Sequence, residues 1–180
     1  QVWRPMYNPN IEDEFLGFAQ GYNVLKIAYA ASFGTSNWEY NPELTQKCRE
    51  LAKNLDAVSV RETSGVDLCK EHFGIDATWV LDPTLLLDKE DYKKICLPKQ
   101  VKEPYIFAYI LDGNAELKQQ IEEEAKRRNC RLIYKSADDS VEKSDSIEMW
   151  LSLIANAEMV FTDSFHGTIF SIIFERQFVT

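Results

Sequence analysis

The run Thr162-Asp163-Ser164-Phe165-His166-Gly167-Thr168 sets hydroxyls, an imidazole and a glycine within a few positions of one another. It lies between the apolar run Met159-Val160-Phe161-Thr162 and the apolar stretch 169–174. A strand ending and a helix starting at such a place leave backbone N–H groups without intrahelical partners, and the helix dipole adds to their pull on an anion. Ser164, Gly167 and Thr168 thus suit a phosphate or carboxylate, and His166 can give and take a proton near neutral pH. The same residues also read as Ser164 or Asp163 capping a helix, with His166 a hydrogen-bonded turn residue. The combination at one strand end favours the anion pocket, and His72, the other histidine, reads as structural at a helix end.

Three further places carry polar chemistry at strand ends. Arg61 follows the strand-like Ala57-Val58-Ser59-Val60, and its guanidinium can grip a carboxylate or phosphate through two parallel hydrogen bonds. It can equally pair with Glu62 or Asp67, and both readings stay open. Ser32 and Gly34, in Ser32-Phe33-Gly34-Thr35-Ser36, offer a hydroxyl donor and a glycine turn after another apolar run. Asp82-Pro83-Thr84 is a turn signal whose carboxylate can orient a hydroxyl or close the turn, and the turn role is the expected one.

These segments need elements to position them. Apolar runs at 26–32, 57–61, 77–81, 105–111, 131–135 and 159–162 read as strands. Leu44, Cys48, Leu51 and Leu55, then Leu117, Ile121 and Ala125, recur at helical spacing. Further helices are expected at 63–73, around 91–95 and from Ser146, with Asn114 and Ser146 as caps. Strands without alternation, separated by helices, predict parallel sheets covered on both faces, where ligands sit at the carboxyl edge. Pro98 and Pro104 suggest a junction, so the expected domains are residues 1–97 and 98–180. Residues 136–146 form a polar, acidic loop. Neither GxGxxG nor GxxxxGK[ST] occurs, so this is not a typical dinucleotide or P-loop site.

Composition narrows the functions. With 20 Lys and Arg against 29 Asp and Glu the formal charge is −9, which opposes phosphate-backbone binding and excludes nucleic acid as the expected partner. The cationic cluster Lys126, Arg127, Arg128 and Arg131 follows Glu122, Glu123 and Glu124, as at the end of a solvated helix. Cys48, Cys69, Cys96 and Cys130 are far apart, so no metal site is expected, and free, mostly buried thiols suit a reducing cytoplasm. No run is long and apolar enough to span a membrane. Trp38 and Tyr40, in a loop, can offer a sugar-stacking surface or equally belong to the core, and Trp79 and Trp150 are expected in the core. The opening Gln1-Val2-Trp3 and the closing Phe178-Val179-Thr180 read as cuts at both ends of a longer protein.

The segments ASFGTS (31–36), SVRE (59–62), VLDPTLLL (80–87) and TDSFHGTIFSIIF (162–174), in this order, resemble the polysaccharide pyruvyl transferase family. Gln1-Val2-Trp3 is similar to the end of that family's GSDQVW segment. Many members carry Arg two residues before the matching histidine, where this chain has Ser164. The resemblance implies a glycosyltransferase-B-like pair of Rossmann-like domains and phosphoenolpyruvate as donor substrate, with no cofactor. The acceptor would be a saccharide, free or lipid-linked, and the product a pyruvate ketal in cell-surface polysaccharide. It implies His166 as general acid and base, Arg61 as donor anchor, and Ser164, Gly167 and Thr168 as further anion contacts. Work in the cytoplasm or at the inner face of the membrane is expected. Two other readings stand beside it: a nucleotide-sugar glycosyltransferase of the same fold class, and a non-catalytic saccharide-binding protein.

Overall fold

The structure is a computed structural model that describes residues 1–136 and 145–180. The acidic loop expected at 136–146 therefore lies almost wholly outside the described residues.

Local caps start most helices. Asn41 accepts a hydrogen bond from the Leu44 N–H ahead of α1 (Pro42–Ala52), where Pro42 lacks an N–H that the first turn would leave unpaired. After α2 (Thr63–Leu68) the chain widens into a π-helical turn over Cys69–Phe73. Asp88, Asn114, Ser146 and Ser164 cap α3 (Lys89–Lys93), α4 (Ala115–Arg127), α5 (Ile147–Ala155) and α6 (Phe165–Ile173) in the same way. Asn114 and Ser146 thus act as the sequence suggests.

The chain divides into two compact units, Gln1–Pro83 and Thr84–Thr180. Residues 84–97 belong to the second unit. Tyr92 of α3 packs edge-on to Phe170 at 4.9 Å and donates its hydroxyl to the Thr84 carbonyl at 2.8 Å.

The first unit holds a three-stranded parallel sheet in the order β1 (Ile27–Ala31), β2 (Ala57–Val60), β3 (Thr78–Trp79). Its core gathers Trp3, Phe15, Phe33 and Phe73 with Cys48, Val60 and Leu68, and Trp3 stacks on Phe15 at 4.5 Å. Burying each large apolar side chain contributes about 1.5–3 kcal/mol, so this cluster holds the unit together. Trp38 and Tyr40 belong to it rather than to a sugar platform. Trp38 lies between Tyr40 and His72 at 4.4 and 4.0 Å, and the Tyr40 hydroxyl donates to the Trp3 carbonyl.

Two expectations fail here for one reason. Ile27 and Tyr29 are each 50% exposed, while Ala28 and Val58 pack inward, so among the described residues this sheet is covered on one face only. Trp79 is exposed as well, on a two-residue edge strand too short to bring it under a helix. Apolar composition alone did not distinguish a strand buried on both sides from one buried on one side.

The second unit meets the expectation of a sheet covered on both faces. Its parallel order is β5 (Arg131–Ser136), β4 (Tyr105–Ile110), β6 (Met159–Thr162), β7 (Gln177–Val179). Ile121 and Ala125 of α4 pack with Ile106, Ala108 and Ile110 on one side. On the other, Leu151 and Ile154 of α5 and Phe170 and Phe174 pack with Phe107 and Val160. The molecule is a mixed α/β protein built on parallel sheets, consistent with a Rossmann-like fold. No helix among the described residues is long and apolar enough to cross a membrane.

Candidate functional site

In the second unit the chain leaves β4 toward β5 on one side and reaches β6 on the other, so the order reverses between β4 and β6. Open α/β sheets bind ligands at the carboxyl ends of the strands beside such a reversal. Thr162, Ser164, His166, Gly167 and Thr168 sit at that place. Ser164, 8% exposed, accepts from the Gly167 N–H at 3.3 Å, and its own N–H donates to Thr162 Oγ1 at 3.1 Å. The Thr168 hydroxyl turns back to the Ser164 carbonyl at 3.2 Å. The hydroxyls of Ser164 and Thr168 therefore shape the turn from within.

Gly167 is required by space. A Cβ built on it would stand 2.3 Å from Thr162 Oγ1, so the first turn of α6 lies hard against the end of β6. His166, the second residue of α6, is exposed beside the helix start, with its ring edge-on to Phe165 at 5.2 Å. An imidazole there can reach a bound anion and exchange a proton with it.

Asp163 acts in a way the sequence reading did not foresee. Its two carboxylate oxygens accept from the N–H groups of Leu111 and Asp112, each at 2.7 Å. Those residues follow β4, so one side chain ties together the two strand ends that flank the reversal.

The first unit brings together Ser32, Gly34 and Arg61. β1 carries an irregularity between Ala28 and Ala31, with Ala30 in the left-handed region at φ 52. Ser59 of β2 staples it, its hydroxyl accepting from the Ala30 N–H at 2.9 Å and donating to the Ala28 carbonyl at 3.3 Å. Bulges of this kind re-aim the residues that follow. Here they deliver Ser32, 2% exposed, whose hydroxyl donates to Glu62 Oε1 at 2.5 Å and accepts from the Gly34 N–H at 3.1 Å. Gly34 has φ 68, and a Cβ there would come within 2.5 Å of the Gln1 side chain.

Arg61 resolves part of its open alternatives. Its Nε donates to the same Glu62 Oε1 at 3.2 Å and its Nη1 to Asp82 Oδ2 at 2.6 Å. Glu62 was an expected partner, whereas Asp67 gives way to Asp82, which reaches Arg61 because β3 runs alongside β2. The Asp82 carboxylate is thus an ion-pair partner rather than only a turn former. A strand-end aspartate next in the sheet to a strand-end arginine was the available signal, hidden by the turn character of Asp-Pro.

Among the described residues no group of three or more His, Cys, Asp or Glu side chains is arranged to hold a metal ion. Burial pushes the Cys48 and Cys69 thiols up to about 12, so neither offers a ready thiolate.

No curated protein and no solved structure gives a significant match to the chain. The family model for polysaccharide pyruvyl transferase, in contrast, matches residues 4–180, spanning both strand-end clusters and the sheets that carry them. A match of that extent, over a parallel α/β framework with His166 beside the start of α6, settles the affiliation: the chain belongs to the polysaccharide pyruvyl transferase family.

Proposed function

We propose that this protein transfers the pyruvyl group of phosphoenolpyruvate to hydroxyls of a saccharide, forming a pyruvate ketal during polysaccharide biosynthesis. The observation that carries the reading is His166, exposed in the first turn of α6 at the carboxyl end of β6, in a chain matched by the family over residues 4–180.

The chemistry asks for proton transfer and for charge complementarity. Protonation of the methylene carbon of phosphoenolpyruvate makes its neighbouring carbon oxocarbenium-like. A sugar hydroxyl adds there and loses its proton, the bond to the phosphate oxygen breaks, and a second hydroxyl closes the ketal with loss of another proton. His166 supplies and accepts protons in this sequence. The N–H groups at the start of α6 favour an anion, and Ser164, Gly167 and Thr168 set their positions. Arg61 contributes cationic charge for phosphate or carboxylate, with Ser32 and Gly34 shaping the loop beside it. These roles need no cofactor beyond the donor itself.

The test is calorimetric titration of the full-length protein with phosphoenolpyruvate and, separately, with UDP- and CMP-sugars. Binding of phosphoenolpyruvate alone, lost in Arg61→Ala, supports the proposal. Binding of a nucleotide sugar alone would replace it with a glycosyltransferase, and silence from all three with a saccharide-binding protein. His166→Ala should abolish turnover while keeping donor affinity; turnover at the parent rate would remove His166 from its role.

A further inference from the structure

We propose that Asp82 is a positioning residue that fixes the guanidinium of Arg61 from behind, with Glu62 as its counterpart on the Nε side. The inference deepens the reading in which Arg61 meets an anionic donor, and it assigns the work of aiming that cation to a carboxylate on the neighbouring strand.

Geometry carries it. Asp82 side-chain exposure is 4% and that of Arg61 is 11%, and their contact, Nη1 to Oδ2, is 2.6 Å. Two nitrogens on different edges of one planar group are each engaged, Nη1 by Asp82 and Nε by Glu62. A plane held at two edges loses its freedom to rotate about the terminal torsions of the side chain. Backbone bonds register the pair: the Arg61 N–H donates to the Ala31 carbonyl, the Val80 N–H to the Val60 carbonyl, and Trp79 Nε1 to the Arg61 carbonyl at 3.2 Å. Asp82 therefore follows a strand edge whose position is fixed relative to the strand that bears Arg61.

Charge supports the same view. A buried carboxylate is costly unless paired, so Asp82 is suited to the interior because Arg61 is there. The Glu62 Oε1 that accepts from Arg61 also accepts from Ser32 Oγ, which links the guanidinium to the loop after β1. The other oxygen, Glu62 Oε2, is buried and accepts no hydrogen bond among the described residues. Glu62 is thus the more weakly satisfied of the two carboxylates, and Asp82 the firmer hold.

The experiment uses the full-length protein with Asp82→Asn, Arg61→Ala and the double variant. Phosphoenolpyruvate affinity is measured by calorimetry, and labelling of each arginine by phenylglyoxal is followed by mass spectrometry. Asp82→Asn keeps the shape and removes the charge, and it should weaken phosphoenolpyruvate binding by about tenfold or more, as loss of a charge-assisted contact does. It should also speed labelling of Arg61 while the other arginines keep their rates. The double variant should bind no more weakly than Arg61→Ala. Parent-like affinity in Asp82→Asn would overturn the proposal. General acceleration at every arginine would also overturn it, showing a structural role alone. Should Asp82→Asn fail to fold, Asp82→Glu takes its place, keeping the charge while displacing it by one methylene; unaltered affinity and Arg61 labelling would then count against the assignment. If the parent protein binds no phosphoenolpyruvate, the donor reading falls. Labelling then decides by itself: selective acceleration at Arg61 sustains the positioning role, and an unchanged rate ends it.

Discussion

Thr162 Oγ1 occupies the space that a side chain on Gly167 would need, 2.3 Å from the position of its Cβ. The last residue of β6 and the first turn of α6 are thereby packed as one piece, and the Thr162 hydroxyl accepts from the Ser164 N–H in the same turn.

Gly167→Ala should consequently lower stability by about 2 kcal/mol, the range of an overpacked interior. Chemical denaturation of parent and variant measures this. Gly167→Ala combined with Thr162→Ser, which keeps the hydroxyl and removes a methyl, should recover little, because the nearest clash is with the oxygen itself.

Asp163→Asn removes the charge and one of two acceptors that hold the N–H groups of Leu111 and Asp112. An amide NH₂ facing a backbone N–H cannot replace the lost bond. The loss should be about 1–2 kcal/mol in unfolding free energy. Amide hydrogen exchange at Leu111 and Asp112 should accelerate selectively, which a general destabilisation would not do.

The thiols should separate into two classes. Burial raises Cys48 and Cys69 to about 12, and both are fully enclosed, whereas Cys96 and Cys130 are partly exposed. Iodoacetamide at mildly alkaline pH should modify Cys130 and Cys96 first, with Cys48 and Cys69 reacting only on unfolding. Peptide mapping over time reads the order, and early labelling of Cys48 would contradict the packing of the first unit.

Glu124 supplies a pH signature. Hydrogen bonds from Arg127 and Arg128 near the end of α4 lower its carboxyl from 4.5 to about 2. A depressed folded-state value means the contribution is complete above about pH 4.5 and fades as pH falls toward about 2. Glu124→Gln should reduce stability at neutral pH and converge with the parent at pH about 2, with the difference shrinking in high salt because the ion pairs lie at the surface. Denaturation curves across that window give the comparison.

What could be read from the chain was the part encoded locally. Asn114, Ser146 and Ser164 lie three residues before the N–H they cap, so cap and helix are visible in one short stretch. The apolar runs of β4 and β6 likewise announced a sheet with two covered faces. What escaped depends on residues far apart in sequence. Arg61 meets Asp82 across neighbouring strands, and Asp163 meets Leu111 and Asp112 after most of the second unit has intervened. Burial had the same limit: Trp79, expected in the core, is exposed, because exposure is set by what packs alongside, not by residue type.

The staple on β1 adds a temporal dimension. The hydroxyl that bridges Ala28 and Ala30 belongs to Ser59, on the next strand. During synthesis the left-handed kink at Ala30 therefore has no stabilising partner until β2 has emerged and docked, and parallel pairing of this kind is slow because a long loop must close first. The direction in which Ser32 projects is in that sense an inherited property: a ribosome that paused between residues 32 and 59 would hold a chain with the right residues and no wall for them to form.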